Sequence, residues 1–224
     1  MLTRENLKSG VLREMIRQAD PTIEVWSDDQ IRASLAATLA AAPHREATWV
    51  FGYGSLIWNP AFHYAETCKG RLSGYHREYC LWTRLGRGTI ENPGLTLGLE
   101  EGGECTGVAF RIDDHAVDEE LEIIWRREMV AGAYIPTWVT INGADGRQIP
   151  AIAFVIDHSF ERYAGDLSEE EIVERVATAR GPLGGCSDYL FNTVDHLDEL
   201  DLADPYLHRL ADRVRDRMAR EPTG

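Results

Sequence analysis

Residues 49–60, Trp-Val-Phe-Gly-Tyr-Gly-Ser-Leu-Ile-Trp-Asn-Pro, form the stretch of this chain best suited to holding an anion. An apolar run meets Gly52 and Gly54 and then Ser55, so the backbone can turn sharply and present several N–H groups to one point. Better-known uses of such a turn fail at single positions. A dinucleotide fingerprint needs a third glycine where Ile57 stands, and a long helix that Pro60 would impede. A P-loop ends in Gly-Lys-Ser/Thr, which is missing here. A nucleophile elbow needs glycine two places after its serine, and Ile57 again occupies that place. The competing reading is a plain β-turn that uses its glycines for geometry alone.

The second chemical signal is a carboxylate out of place. Over a helix expected at about 115–130, Val117, Leu121, Ile124 and Trp125 mark the inward face, and the same spacing continues to Glu128. The neighbouring Glu119, Glu120, Arg126 and Arg127 are expected on the solvated side. A glutamate on an apolar stripe must be paired, neutralised or used. Near a helix end the stripe can also be leaving the core, so a surface position stays open. Ala131-Gly-Ala-Tyr134, which follows, is small and turn-prone and leaves room for a ligand. The third signal is uneven charge: Lys69, Arg71, Arg77, Arg84 and Arg87 face Glu78 alone between positions 69 and 88. Arg84 or Arg87 is suited to a substrate carboxylate, and a solvated strand edge is the alternative.

Composition excludes several classes. With 23 Lys+Arg against 37 Asp+Glu, the 224-residue chain carries a net charge of −14, a field that repels nucleic acid and anionic lipid. Its longest apolar stretch, Leu35 to Ala42, is too short to span a bilayer, and its first ten residues lack the apolar run of a signal peptide. A cytoplasmic protein that binds neither nucleic acid nor membrane is expected. Cys68, Cys80, Cys105 and Cys186 form no CxxC pair and read as buried, reduced thiols. The seven histidines are scattered, and no metal site or cofactor is expected.

The elements that must position these residues begin with helices over residues 1–45. Leu7, Val11, Leu12 and Ile16 recur at helical spacing, and Ser27 with Gln30 forms a capping box before Ile31, Leu35 and Leu39. Short β-like runs follow: WVFGYG, YCLW, LTLGL, GVAFRI, TWVTI and AIAFVI. Ser168 with Glu171 opens a helix to about Ala179, another starts near Ser187, and Asp204-Pro205 caps the last. Strands with inserted and appended helices predict an α+β fold with a mainly antiparallel or mixed sheet. Residues 1–46 read as an N-terminal helical extension to a domain over 47–224.

Taken together, VFGYGSLIWNP (50–60), RGT and NPG (87–89, 92–94), GVAFRI (107–112), RREMVAGAY (126–134) and GPLGGCSDYLF (181–191) resemble the ChaC-type γ-glutamylcyclotransferases, which cleave glutathione. The resemblance implies a compact mixed-sheet, barrel-like fold and Glu128 as the catalytic acid/base. It implies a substrate site at Val50, Phe51, Gly52, Tyr53, Gly54, Ser55, Leu56, Arg87, Tyr134 and Tyr189. No cofactor or metal is implied, and the partner is a small molecule, glutathione or another γ-glutamyl peptide. There are departures: Gly132-Ala-Tyr134 replaces the Gly-Gly-Tyr of glutathione-specific eukaryotic members, and Trp82-Thr-Arg-Leu-Gly86 replaces their Gln-Gly-Ser segment. The expected reaction releases 5-oxoproline and Cys-Gly. The alternatives are cyclisation of other γ-glutamyl amines and a non-catalytic, γ-glutamyl-binding regulatory module.

Overall fold

A computed structural model describes residues 2–43, 47–84 and 86–220. The expected boundary at 46/47 falls beside residues 44–46, which lie outside the described residues, as do Leu85 and 221–224. Three helices open the chain: α1 (Arg4–Lys8), α2 (Val11–Ala19) and α3 (Asp28–Ala40). The capping box is present, with Gln30 N donating to Ser27 Oγ at 3.2 Å and Ser27 N donating to Gln30 Oε1 at 2.8 Å. Leu7 and Ile16 are buried, whereas Val11 is exposed. Gly10 at φ 75° breaks the helix between them, so the helical phase restarts at Val11.

The strands β1 (Trp49–Gly52), β2 (Glu66–Thr83), β3 (Gly94–Arg111), β4 (Tyr134–Gly143) and β5 (Gln148–Ile156) close into a barrel in the order β1-β3-β2-β4-β5. β5 returns to β1 in parallel at Val50 and Ile152, and the other neighbours are antiparallel. The mixed, barrel-like α+β fold is as expected. The strand lengths are not. LTLGL and GVAFRI are one strand, continuous through Glu100-Glu-Gly-Gly-Glu104, where the composition reads as a turn. Those residues pair with β2 across a register shift between Ser73 and Tyr75, and Gly74, Gly102 and Gly103 at positive φ take up the irregularity.

Alternate residues feed different cores. Trp49, Phe51 and Tyr53 join Leu97, Leu99, Ala151 and Ala153 in one cluster, together with α6 (Glu169–Thr178), α7 (Cys186–Glu199) and α8 (Pro205–Ala219). Val50, Phe110, Ile152 and Phe154 pack in a second cluster against α5 (Val117–Glu128) and α3. The Trp125 indole N–H on α5 donates to Ser34 Oγ on α3 at 3.2 Å, which helps seat the N-terminal helices on the barrel domain.

Arg77 departs from the solvated strand edge that was its alternative. It is 3% exposed; its Nε donates to the Tyr53 carbonyl at 2.5 Å, and its Nη1 meets Asp204 Oδ2 at 2.7 Å. A further hydrogen bond reaches the Thr106 carbonyl. Asp204 in turn caps α8, accepting from Tyr206 N and Leu207 N at 3.0 and 3.2 Å. One guanidinium on β2 therefore ties the glycine turn, at Tyr53, and β3, at Thr106, to the N-terminus of the last helix. Arg77→Met is expected to cost about 3–5 kcal/mol, because it strands a carboxylate and two carbonyls. Urea denaturation measures this, and a loss below about 1 kcal/mol would mean that the pair is replaceable.

Candidate active site

β1 ends at Gly52, and the chain turns through Tyr53 and Gly54 into a single helical turn, α4 (Ser55–Trp58). Gly54 has φ −136°, so it is not needed for a left-handed backbone. Close approach requires it instead: a Cβ there would sit 2.8 Å from the Tyr189 hydroxyl oxygen. The N–H groups at the start of α4 have no intrahelical carbonyl to meet and no side-chain cap at Gly54.

Glu128 is the last residue of α5, where Met129 N closes the final turn on the Trp125 carbonyl at 2.8 Å. Gly132 then turns the chain at φ 70° under the Trp26 indole, which leaves no room for a side chain. These two ends meet at a small chamber of about 30 Å³ lined by Tyr53, Gly54, Ser55, Leu56, Leu97, Glu128, Tyr134, Phe154 and Tyr189. Ser55, Glu128, Tyr134 and Tyr189 also line a larger cleft of about 300 Å³ beside it.

The Glu128 side chain is 15% exposed, and its Oε1 lies 3.0 Å from Arg127 Nε. That contact is an ion pair without hydrogen-bond alignment: Oε1 is buried and has no hydrogen-bond partner among the described residues. Burial raises the Glu128 pKa above the usual glutamate value, and the Arg127 charge opposes the rise. The Tyr53 hydroxyl donates to the Phe154 carbonyl at 2.8 Å, and the Tyr134 hydroxyl to the Leu97 carbonyl at 3.2 Å. Burial pushes the phenols of Tyr53, Tyr134 and Tyr189 upward, and the nearby Glu128 charge adds to this, so all three stay protonated at neutral pH.

The chamber brings together seven of the residues expected from the sequence: Tyr53, Gly54, Ser55, Leu56, Glu128, Tyr134 and Tyr189. Val50 and Phe51 are instead fully buried in opposite cores, and a Cβ on Gly52 would press on the Phe110 ring at 2.9 Å. These three shape the turn and do not line the chamber. Arg87 lines an adjoining groove of about 580 Å³ that Glu128 does not reach. There it donates to the Gly185 carbonyl at 3.1 Å, with Asp188 3.8 Å away.

Arg127 and Glu120 are not on the solvated side. Arg127 Nη2 donates to Ser55 Oγ at 2.8 Å, and Nη1 reaches the carbonyls of Asn59 and Pro60. It thereby clamps the glycine turn to the helix that carries Glu128. Glu120 is 2% exposed, paired with Arg4 and accepting from His63 N at 2.9 Å. The only local hint of Arg127's role is its place beside Glu128. All four cysteines are free and buried, with Cys105 and Cys186 each pushed up to about 11 by burial. No helix among the described residues is long and apolar enough to cross a membrane.

The fold has relatives of known structure. The crystal structure of a yeast γ-glutamyl cyclotransferase specific to glutathione shares this fold, with a TM-score of 0.70 at 20% identity, over 77% of this chain and 97% of that one. The ChaC-like protein family matches residues 48–217. The glutathione-specific γ-glutamylcyclotransferase of Escherichia coli K12 is 41% identical over 219 residues, 98% of this chain and 94% of that protein. The human glutathione-specific γ-glutamylcyclotransferase 1 is 34% identical over 156 residues, covering 68% of this chain and 70% of the human one. The chain belongs to the ChaC-like family.

Proposed function

We propose that this protein is a γ-glutamylcyclotransferase that converts glutathione to 5-oxoproline and Cys-Gly, with Glu128 as general base and then general acid. The observation that carries the reading is the buried Glu128 Oε1, ion-paired with Arg127 but without a hydrogen-bond partner among the described residues, in a chamber walled by the glycine turn and three protonated tyrosines. The relatives named for this reaction support the choice of substrate.

In glutathione the free α-amine can attack its own γ-carbonyl. A C–N bond forms to close a five-membered lactam, and the bond from that carbonyl to the cysteinyl nitrogen breaks. The nucleophile is already tethered, so the protein has mainly to fold the substrate into attack geometry. An α-amine has a pKa of about 8, so near neutrality it is mostly an ammonium and inert. Glu128 takes that proton and passes it to the departing cysteinyl nitrogen. A second proton leaves the attacking nitrogen as the ring closes and follows the same route, so Cys-Gly departs with an ammonium and the reaction consumes no water. A raised pKa suits both halves of the task, because the best shuttle titrates near the working pH. The N–H groups of Gly54, Ser55 and Leu56 receive the glutamyl α-carboxylate, and the tyrosines exclude water. Residues 47–224 serve as the catalytic domain and 1–46 as its helical extension. Four buried, reduced thiols suit a cytoplasmic location.

Incubation with reduced glutathione and chromatography of the products tests the proposal. Equal amounts of 5-oxoproline and Cys-Gly are expected; glutathione left intact by folded protein would overturn it.

A further inference from the structure

Glu128 and Tyr134 share the larger cleft with three arginines outside the chamber: Arg127, which is engaged by Ser55 and the Asn59 and Pro60 carbonyls, and Arg84 and Arg162. The Arg162 side chain is 6% exposed, and its Nη2 donates to Asp20 Oδ2 at 2.7 Å. Arg84 Nη1 lies 3.6 Å from the same oxygen. Asp20 is fully buried at the C-terminus of α2 and is fixed by Thr22 N at 3.0 Å. Two guanidiniums thus share one buried carboxylate. Glu161 lies 3.5 Å from Arg162 Nε, but it is 62% exposed and its charge is largely screened. Arg84 Nε and Arg162 Nε are both buried, and neither has a hydrogen-bond partner among the described residues. A buried N–H without an acceptor is costly, and most such groups in native proteins are matched.

We propose that Arg84 and Arg162, with Asp20 holding them in place, form a carboxylate subsite that receives the terminal carboxylate of the departing Cys-Gly portion. This rests on the γ-glutamyl reading above. The choice of this cleft over the Arg87 groove follows from the proton. Glu128 must deliver it to the leaving nitrogen, so the leaving portion runs through a space that Glu128 lines, and the Arg87 groove lacks Glu128. The cleft wall between is largely apolar, with Leu12, Met15, Ile16 and Ile23 supplied by the N-terminal extension. Such walls exclude water and strengthen an arginine–carboxylate contact. Asp20 joins that extension to the barrel end, so the segment before residue 47 takes part in substrate selection.

The test compares glutathione with its glycyl monoethyl ester, which keeps the γ-glutamyl head and the scissile bond but lacks the terminal charge. Wild-type protein is expected to prefer the acid by about tenfold or more in kcat/KM, chiefly through KM. Arg84→Gln removes a side chain that is already 38% exposed, so the fold should tolerate it. It is expected to raise KM for glutathione about tenfold and KM for the ester much less, so the preference falls toward one. Equal losses on both substrates, or an unchanged preference, would overturn the subsite. If wild-type protein releases 5-oxoproline from neither substrate, the γ-glutamyl reading itself fails. Release from both with no preference removes the subsite alone.

Discussion

Glu128→Gln is expected to lower glutathione turnover by at least about a hundredfold, the lower end of what a positioned acid–base group supplies. The amide keeps the size of the side chain and its place at the end of α5 but cannot accept the ammonium proton. KM should change little, because the head group is held by the turn and the tyrosines. Stability should move the other way. In the folded protein burial raises the Glu128 pKa, so the unfolded chain ionises first as pH rises. The folded state of the wild type therefore loses stability from about pH 4 upward, until the folded carboxyl also ionises. Glu128→Gln escapes that loss, and its Tm relative to wild type should be higher at pH 7 than at about pH 4. A variant that keeps more than about a tenth of wild-type turnover would remove Glu128 from the proton transfer.

Gly54→Val is the second change with a large expected effect. A Cβ at that position meets the Tyr189 hydroxyl at 2.8 Å and the Leu97 side chain at 3.9 Å. Tyr189 has little freedom to yield, being held edge-on by Trp58 and Tyr79 at centroid distances of 6.1 and 6.3 Å. The added methyls would fill a chamber of only about 30 Å³ and push the turn away from Glu128. A displacement of about 1 Å at a reacting centre costs on the order of a hundredfold in rate, so kcat/KM should fall by about that factor. Steady-state kinetics checks this on protein whose circular dichroism matches wild type; normal kinetics would reduce the turn to a structural corner.

What could be read in the sequence and what could not divides along sequence distance. The apolar stripe of α5 was legible because Leu121, Ile124 and Trp125 recur within a few residues, and all three are buried. Glu128 stood out by lying on that same stripe. The roles of its charged neighbours were hidden, because their partners come from elsewhere in the chain: Arg127 meets Ser55, and Glu120 meets Arg4. Arg77 likewise finds Asp204 on the far side of the sequence. Gly54 was recognisable as a glycine the turn needs, but only the fold shows that the obstacle is Tyr189 and not a left-handed φ. The full lengths of β2 and β3 were masked by glycines and glutamates that normally break strands, and here pair across a bulge.

The central claim is that the substrate's own amine, relayed through Glu128, is the nucleophile. Mass spectrometry of the products formed from glutathione in heavy-oxygen water tests this most directly. Intramolecular attack takes no oxygen from solvent, so the product is expected to be 5-oxoproline free of label, beside unlabelled Cys-Gly. Glutamate carrying one heavy oxygen in its γ-carboxyl would show that water attacks instead, and would contradict the account.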